Sequence, residues 1–115
     1  MAYGEPTQFV ASAARTTSGN SGAQPAEKAL NLALVVEVTA SSGTTPTLDL
    51  TVEWSMDGTN FAVADPADSF TQITTSPTRR AKTFTVKGTS YRLVWTIAGT
   101  TPSFTFSATR YAVGQ

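Results

Sequence analysis

Leu30-Asn31-Leu32-Ala33-Leu34-Val35-Val36-Glu37-Val38 decides the fold class. Leu30, Leu32, Leu34, Val36 and Val38 recur at every second position, and residues two apart share one face of a strand. That face is expected in the core, with Asn31, Ala33, Val35 and Glu37 on the other side. The same period returns in Leu48, Leu50, Val52 and Trp54, alternating with Asp49, Thr51, Glu53 and Ser55, and again in Tyr91, Leu93, Trp95 and Ile97. The predicted core therefore includes Leu32, Leu34, Val36, Leu50, Val52, Trp54, Leu93 and Trp95.

Shorter stretches rich in β-branched and aromatic residues lie at 8–13, 61–63, 70–74, 82–86 and 103–113. In the last of these, Phe104 and Phe106 are out of phase with Tyr111 and Val113 unless a bulge intervenes. Ser42-Gly43-Thr44-Thr45-Pro46, Asp57-Gly58-Thr59-Asn60, Gly88-Thr89-Ser90 and Gly99-Thr100-Thr101-Pro102 are turn chemistry. About seven or eight short strands, with turns roughly every 8 to 12 residues, predict an all-β, two-layer antiparallel β-sandwich, Ig-like or jelly-roll-like. At 115 residues the chain has room for one such domain, 1–115.

Two segments need separate treatment. Gly43-Thr44-Thr45-Pro46-Thr47-Leu48-Asp49-Leu50 returns as Gly99-Thr100-Thr101-Pro102-Ser103-Phe104-Thr105-Phe106. The echo predicts two hairpins with the same connection, each proline opening an outgoing strand where its missing N–H is harmless. A common turn string without internal symmetry is the alternative. Residues 16–27 carry no large apolar side chain and are expected as a polar flexible loop or arm outside the core, joining the first two strands.

Composition excludes much chemistry. The chain has no cysteine and no histidine, so thiolate metal sites, disulfides, a cysteine nucleophile and the commonest proton shuttle are all unavailable. No catalytic residue, cofactor or metal site is predicted, and the chain reads as a non-enzyme. Eight basic and eight acidic residues give no net field to draw a nucleic acid or an anionic membrane. No stretch approaches the roughly 20 apolar residues of a spanning helix, and Met1-Ala2-Tyr3-Gly4-Glu5-Pro6 lacks the pattern of an export signal. A soluble protein made in a cytoplasm is expected.

Three constellations remain. Asp57, Asn60, Asp65 and Asp68 could offer oxygens to calcium, but Asp57-Gly58 is better read as a metal-free hairpin turn between Ser55 and Phe61. Arg79-Arg80-Ala81-Lys82 is the one basic cluster, read as a charged strand edge or as a contact for an acidic protein partner. The aromatic residues would suit a sugar-binding sandwich if exposed, yet Trp54 and Trp95 share the inward parity of their strands. Thr17, Ser18, Asn20, Gln24, Arg79 and Arg80 are the candidate partner-binding residues.

The run Val38-Thr39-Ala40-Ser41-Ser42-Gly43-Thr44-Thr45-Pro46-Thr47-Leu48-Asp49-Leu50-Thr51-Val52-Glu53-Trp54-Ser55-Met56-Asp57-Gly58-Thr59-Asn60-Phe61 resembles small structural proteins of tailed-bacteriophage virions. So does Tyr91-Arg92-Leu93-Val94-Trp95-Thr96-Ile97-Ala98-Gly99-Thr100-Thr101-Pro102-Ser103-Phe104-Thr105-Phe106. The likeness runs from Leu32 onward and rests on turn strings and strand pattern. It implies a virion protein assembled in the host cytoplasm, most concretely a decoration or cement protein bound to the major capsid protein of an assembled head. Other virion proteins, in the tail or neck, are alternative partners, and a carbohydrate-binding module is the alternative function. A homo-oligomer, first of all a trimer, is expected, with no nucleic acid and no membrane bound. The resemblance transfers no binding residues.

Overall fold

A computed structural model describes residues 2–26 and 28–114, with side chains from residue 6 onward. Glu27, the last residue of the expected arm, lies outside the described residues. Seven strands follow in order: β1 (Ala2–Arg15), β2 (Gly19–Asn20), β3 (Gln24–Pro25), β4 (Ala29–Ser55), β5 (Phe61–Ser69), β6 (Thr78–Thr85) and β7 (Ser90–Gly114). All pairings are antiparallel. The fold is all-β, as the alternation predicts, but the strands are not uniformly short: β4 has 27 residues and β7 has 25.

Those two strands are the frame. They pair along their whole length, from Ala29 opposite Gly114 to Ser55 opposite Ser90. The ribbon they form is folded over on itself. Trp95 and Phe106 belong to the same strand and would lie about 36 Å apart if it were straight. Their ring centroids are 5.3 Å apart, edge to face. One layer thus contains β1, the second half of β7, the first half of β4, and β6. The other contains β2 and β3, the first half of β7, the second half of β4, and β5.

The fold-over occurs at the repeated Gly-Thr-Thr-Pro string, which corrects the hairpin expectation. Neither copy is a loop. Both are kinks inside a strand, and they face each other, with Thr44 opposite Thr100 and register shifts on either side. The two copies share one conformation: φ is +111° at Gly43 and +46° at Thr45, against +122° at Gly99 and +45° at Thr101. The sequence echo is therefore a local pseudo-two-fold. Positive φ at each glycine turns the chain without a side-chain penalty, and the following proline asks for no ladder hydrogen bond.

The core lies between the layers. Leu32, Leu34, Val36, Val38, Leu48, Leu50, Val52, Leu93, Phe104 and Phe106 are at most 1 % exposed, and Trp54, Tyr91 and Trp95 are buried with them. All eight predicted core residues are there. Leu30 is the exception to its strand's parity, at 56 % exposed. The pairing passes from Ala29 opposite Gly114 to Asn31 opposite Val113, so Leu30 is the extra residue of a bulge and turns outward while Ala29 is buried. No such shift interrupts the β4–β7 register between Val113 and Phe106, so Tyr111 and Val113 lie on the outer face. The 70–74 stretch forms no strand of its own. It runs beside β4, where Leu48 and Ile73 exchange backbone hydrogen bonds of 2.8 and 2.9 Å.

Residues 16–26 also depart from expectation. They lie along the open edge of β7 rather than free of the fold. Gly19 pairs with Trp95 and Gln24 with Tyr91. Serine hydroxyls act as acceptors for β7 amides: Ile97 N donates to Ser18 Oγ and Leu93 N to Ser21 Oγ, both at 3.0 Å, and Ser21 N in turn donates to Leu93 O at 2.9 Å. Ala26 is 1 % exposed and joins the core. The segment is a strap held by polar pairing, the way an edge strand without apolar residues is retained.

Candidate functional site

The residues that could do chemistry or bind ligands are largely committed to the fold. Trp54 and Trp95 are 5 % and 8 % exposed, so neither presents a planar face to a sugar ring. Arg15 lies over Trp95 and Phe106, 5.1 and 4.5 Å from their ring centroids, and donates to the carbonyls of Ala11, Ala13 and Phe106. It closes one end of the aromatic core. Tyr91 is fully buried, and burial pushes its phenol up from the ordinary range, partly offset by Arg110, whose Nη1 donates to the hydroxyl at 3.2 Å.

Asp57 is a turn residue. The β4–β5 hairpin closes with Ser55 opposite Phe61, as expected. Asp57 Oδ1 accepts from Asn60 N, Thr59 N and the Ser55 hydroxyl, while Oδ2 accepts from Asn60 Nδ2. Ser55 Oγ in turn accepts from Gly58 N at 2.8 Å. Hydrogen bonds from Asn60 N first, then from Thr59 N and the Asn60 and Ser55 side chains, hold the Asp57 carboxyl well below the usual carboxylate range.

A depressed native pKa stabilises the fold at pH values above the ordinary carboxylate pKa of about 3.9, and that stabilisation is lost as pH falls below it. Asp57→Ala should therefore melt below the wild type at pH 7, with the gap narrowing between about pH 4 and pH 2. A constant gap across that range would remove Asp57 from the account. Calcium or a chelator should leave the wild-type melting temperature where it is, because the carboxylate oxygens already serve the turn.

The six candidate contact residues do not converge. Thr17, Ser18, Asn20 and Gln24 lie on the strap along β7, whereas Arg79 and Arg80 lie on β6, with β7 and β4 between the two edges. Ser18 receives the Ile97 amide, Asn20 Oδ1 receives the Gly22 amide at 2.8 Å, and Gln24 Nε2 donates to Ser21 O. Thr17 alone of the four has no side-chain hydrogen bond among the described residues. Ser21→Ala should orphan the partly buried Leu93 amide, costing about 1 to 3 kcal/mol and speeding its hydrogen exchange. Thr17→Ala should do neither, and equal effects from the two would mean that the strap is not held by its hydroxyls.

The sequence did not point to a groove of about 410 Å³ beside the β4–β5 turn, lined by Trp54, Met56, Ala62, Val63, Ala64 and Lys87 among others. Its polar groups satisfy each other: Trp54 Nε1 and Lys87 Nζ both donate to Asp68 Oδ2, at 2.8 and 2.9 Å. What remains open is apolar, with Met56 76 % and Val63 50 % exposed. The one available signal was a methionine flanking a turn, which by itself carries little.

Charge is distributed unevenly. Residues 38–48 and 93–109, which meet at the kink, contain no charged side chain. Thr44, Thr45, Thr100 and Thr101 are all exposed there. Compared with known proteins, the chain matches no protein-family model and no curated protein.

Proposed function

We propose that the protein is a non-enzymatic structural component of a tailed-bacteriophage virion, most concretely a decoration protein that binds the major capsid protein on the assembled head. The observation that carries this reading is the kink end: an exposed, charge-free tip of threonine, serine and glycine built from both long strands. A surface of short neutral side chains loses little side-chain entropy on contact and strands no buried charge, which suits attachment to a repetitive protein lattice. Weak contacts of this kind gain strength by repetition over the lattice. The burial of both tryptophans favours this reading over a sugar-binding module, which needs an exposed aromatic platform.

The test is binding of purified protein to capsids that lack it. Thr44→Lys and Thr100→Lys, made singly because the two residues face each other across the kink, should each reduce retention on particles by at least about tenfold while leaving the melting temperature unchanged, since both side chains are exposed. Failure of the wild type to bind any particle, or saturable binding to a glycan, overturns the reading. Labelling on tails or necks instead of heads would keep the virion assignment and replace the capsid partner.

A further inference from the structure

The kink end repeats itself in more than its backbone angles. Exchanging the two Gly-Thr-Thr-Pro copies carries the strand register onto itself: Ser41 opposite Phe104 becomes Ile97 opposite Leu48, and Ser42 opposite Ser103 becomes Ala98 opposite Thr47. Thr44 opposite Thr100 is its own image, so the pseudo-two-fold axis passes between them. The succession of buried, half-buried and exposed residues over 41–50 returns unchanged over 97–106. Gly43 lies against Thr101 O and Pro102 Cα as Gly99 lies against Thr45 O and Pro46 Cα. The correspondence stops at the register shift between Val38 and Ala40, which has no counterpart near Trp95, opposite Leu50.

Thr45 and Thr101 are the two non-glycine residues with positive φ among the described residues, at +46° and +45°. A branched Cβ is disfavoured there, whereas glycine adopts this conformation freely. The turn of the chain accounts for the glycines and prolines of the kink but not for these threonines. Both are exposed and neither belongs to the core. Among the described residues, the Oγ1 of each donates only to the carbonyl of the residue before it, at 2.8 Å. Backbone strain that the fold itself does not use gathers at sites of contact.

We propose that this tip docks on a two-fold axis of the capsid lattice, set between two identical subunits, with Thr45 touching one and Thr101 the other. The inference rests on the capsid reading above and adds the symmetry of the partner's site. Two subunits related by a two-fold present the same surface on either side of the axis, and a tip with two like halves satisfies both at once. A shell of identical subunits supplies such positions wherever neighbours meet through the same patch. Each favourable contact is then made twice by one chain, which offsets the strain held in both threonines. A second copy of the chain fits the tip less well. Each half of the ribbon spans about 40 Å and so runs along the 44 Å axis of the molecule, leaving an end of 27 × 21 Å. Tip against tip, that falls short of the roughly 800 Å² per partner of a standard interface, whereas a tip set between subunits is touched on its flanks as well. One chain fills each position, in place of the trimer expected from the sequence.

The experiment uses capsids that lack the protein, decorated with wild type, with Thr45→Gly, with Thr101→Gly and with the double variant. Electron cryomicroscopy of the wild-type particles should place the protein on two-fold positions. Each single variant should lower retention by the same factor, at least about fivefold, and the double variant by the product of the two, because the residues touch separate subunits. Melting temperatures should not fall, since glycine relieves the strained φ. Unequal single effects would mean that the tip meets two different surfaces. Near-silent singles with a large double effect would mean that it turns end for end on an asymmetric site. Either result, retention unchanged in all three variants, or protein at positions without a two-fold overturns this inference and leaves the capsid reading standing. Absence of wild-type binding removes both.

Discussion

Gly99→Ala is expected to destabilise the protein by about 3 kcal/mol or more, an unusually large cost for adding one methyl group at an exposed site. Two causes act together. At φ +122° any side chain is strained, and a Cβ there would lie 2.9 Å from Thr45 O and Pro46 Cα and 3.0 Å from Thr44 O. These are backbone atoms of the facing kink, so relief requires moving one kink away from the other. Gly43 is the mirror case at φ +111°, its Cβ meeting Thr101 O at 2.7 Å and Pro102 Cα at 2.9 Å. Gly22 is the control, with φ +79° and nothing within 4 Å. Gly22→Ala should cost only the backbone strain, about 1 kcal/mol. Chemical denaturation of the three variants makes the comparison, and equal losses at Gly99 and Gly22 would mean that the close approach of the kinks contributes nothing.

Phe106→Ala should cost about 3 to 5 kcal/mol, and Leu50→Ala about 2 to 5 kcal/mol. Both side chains are at most 1 % exposed, and Phe106 touches Trp95 of the facing layer, so truncation leaves a cavity between layers that rigid strands do not close. Thr51→Ala and Thr105→Ala, on the outer faces of the same strands, should stay within about 0.5 kcal/mol. Loss of Trp95 near-ultraviolet dichroism in Phe106→Ala, ahead of unfolding, would show the contact directly. Similar costs at Thr105 and Phe106 would contradict the assignment of the strand's inner face.

The layers were legible because each buries one face, and a two-residue period reports which one. Leu32, Leu34, Val36, Leu50, Val52, Trp54, Leu93 and Trp95 all follow from that period alone. Leu30 escaped it because a bulge adds a residue without changing the local composition. The connectivity was hidden for a different reason. Gly-Thr-Thr-Pro serves equally as a hairpin loop and as a kink within a strand, and the difference lies in its partner, the other copy of the same string far along the chain. The strap is attached despite its lack of large apolar side chains, because Ser18 and Ser21 hold it through hydroxyls that local sequence cannot place opposite the amides of Ile97 and Leu93.

The central claim is that a single β4–β7 ribbon, kinked once in each strand, forms both layers and presents the neutral tip. Cross-strand nuclear Overhauser effects test it most directly. The account predicts contacts of Val38 with Phe106 and of Leu48 with Ile97, continuing across the kink through Thr44 and Thr100. Backbone contacts between Val38 and Leu48 in a hairpin ladder closed by residues 43–46, with none from Thr44 to Thr100, would contradict it.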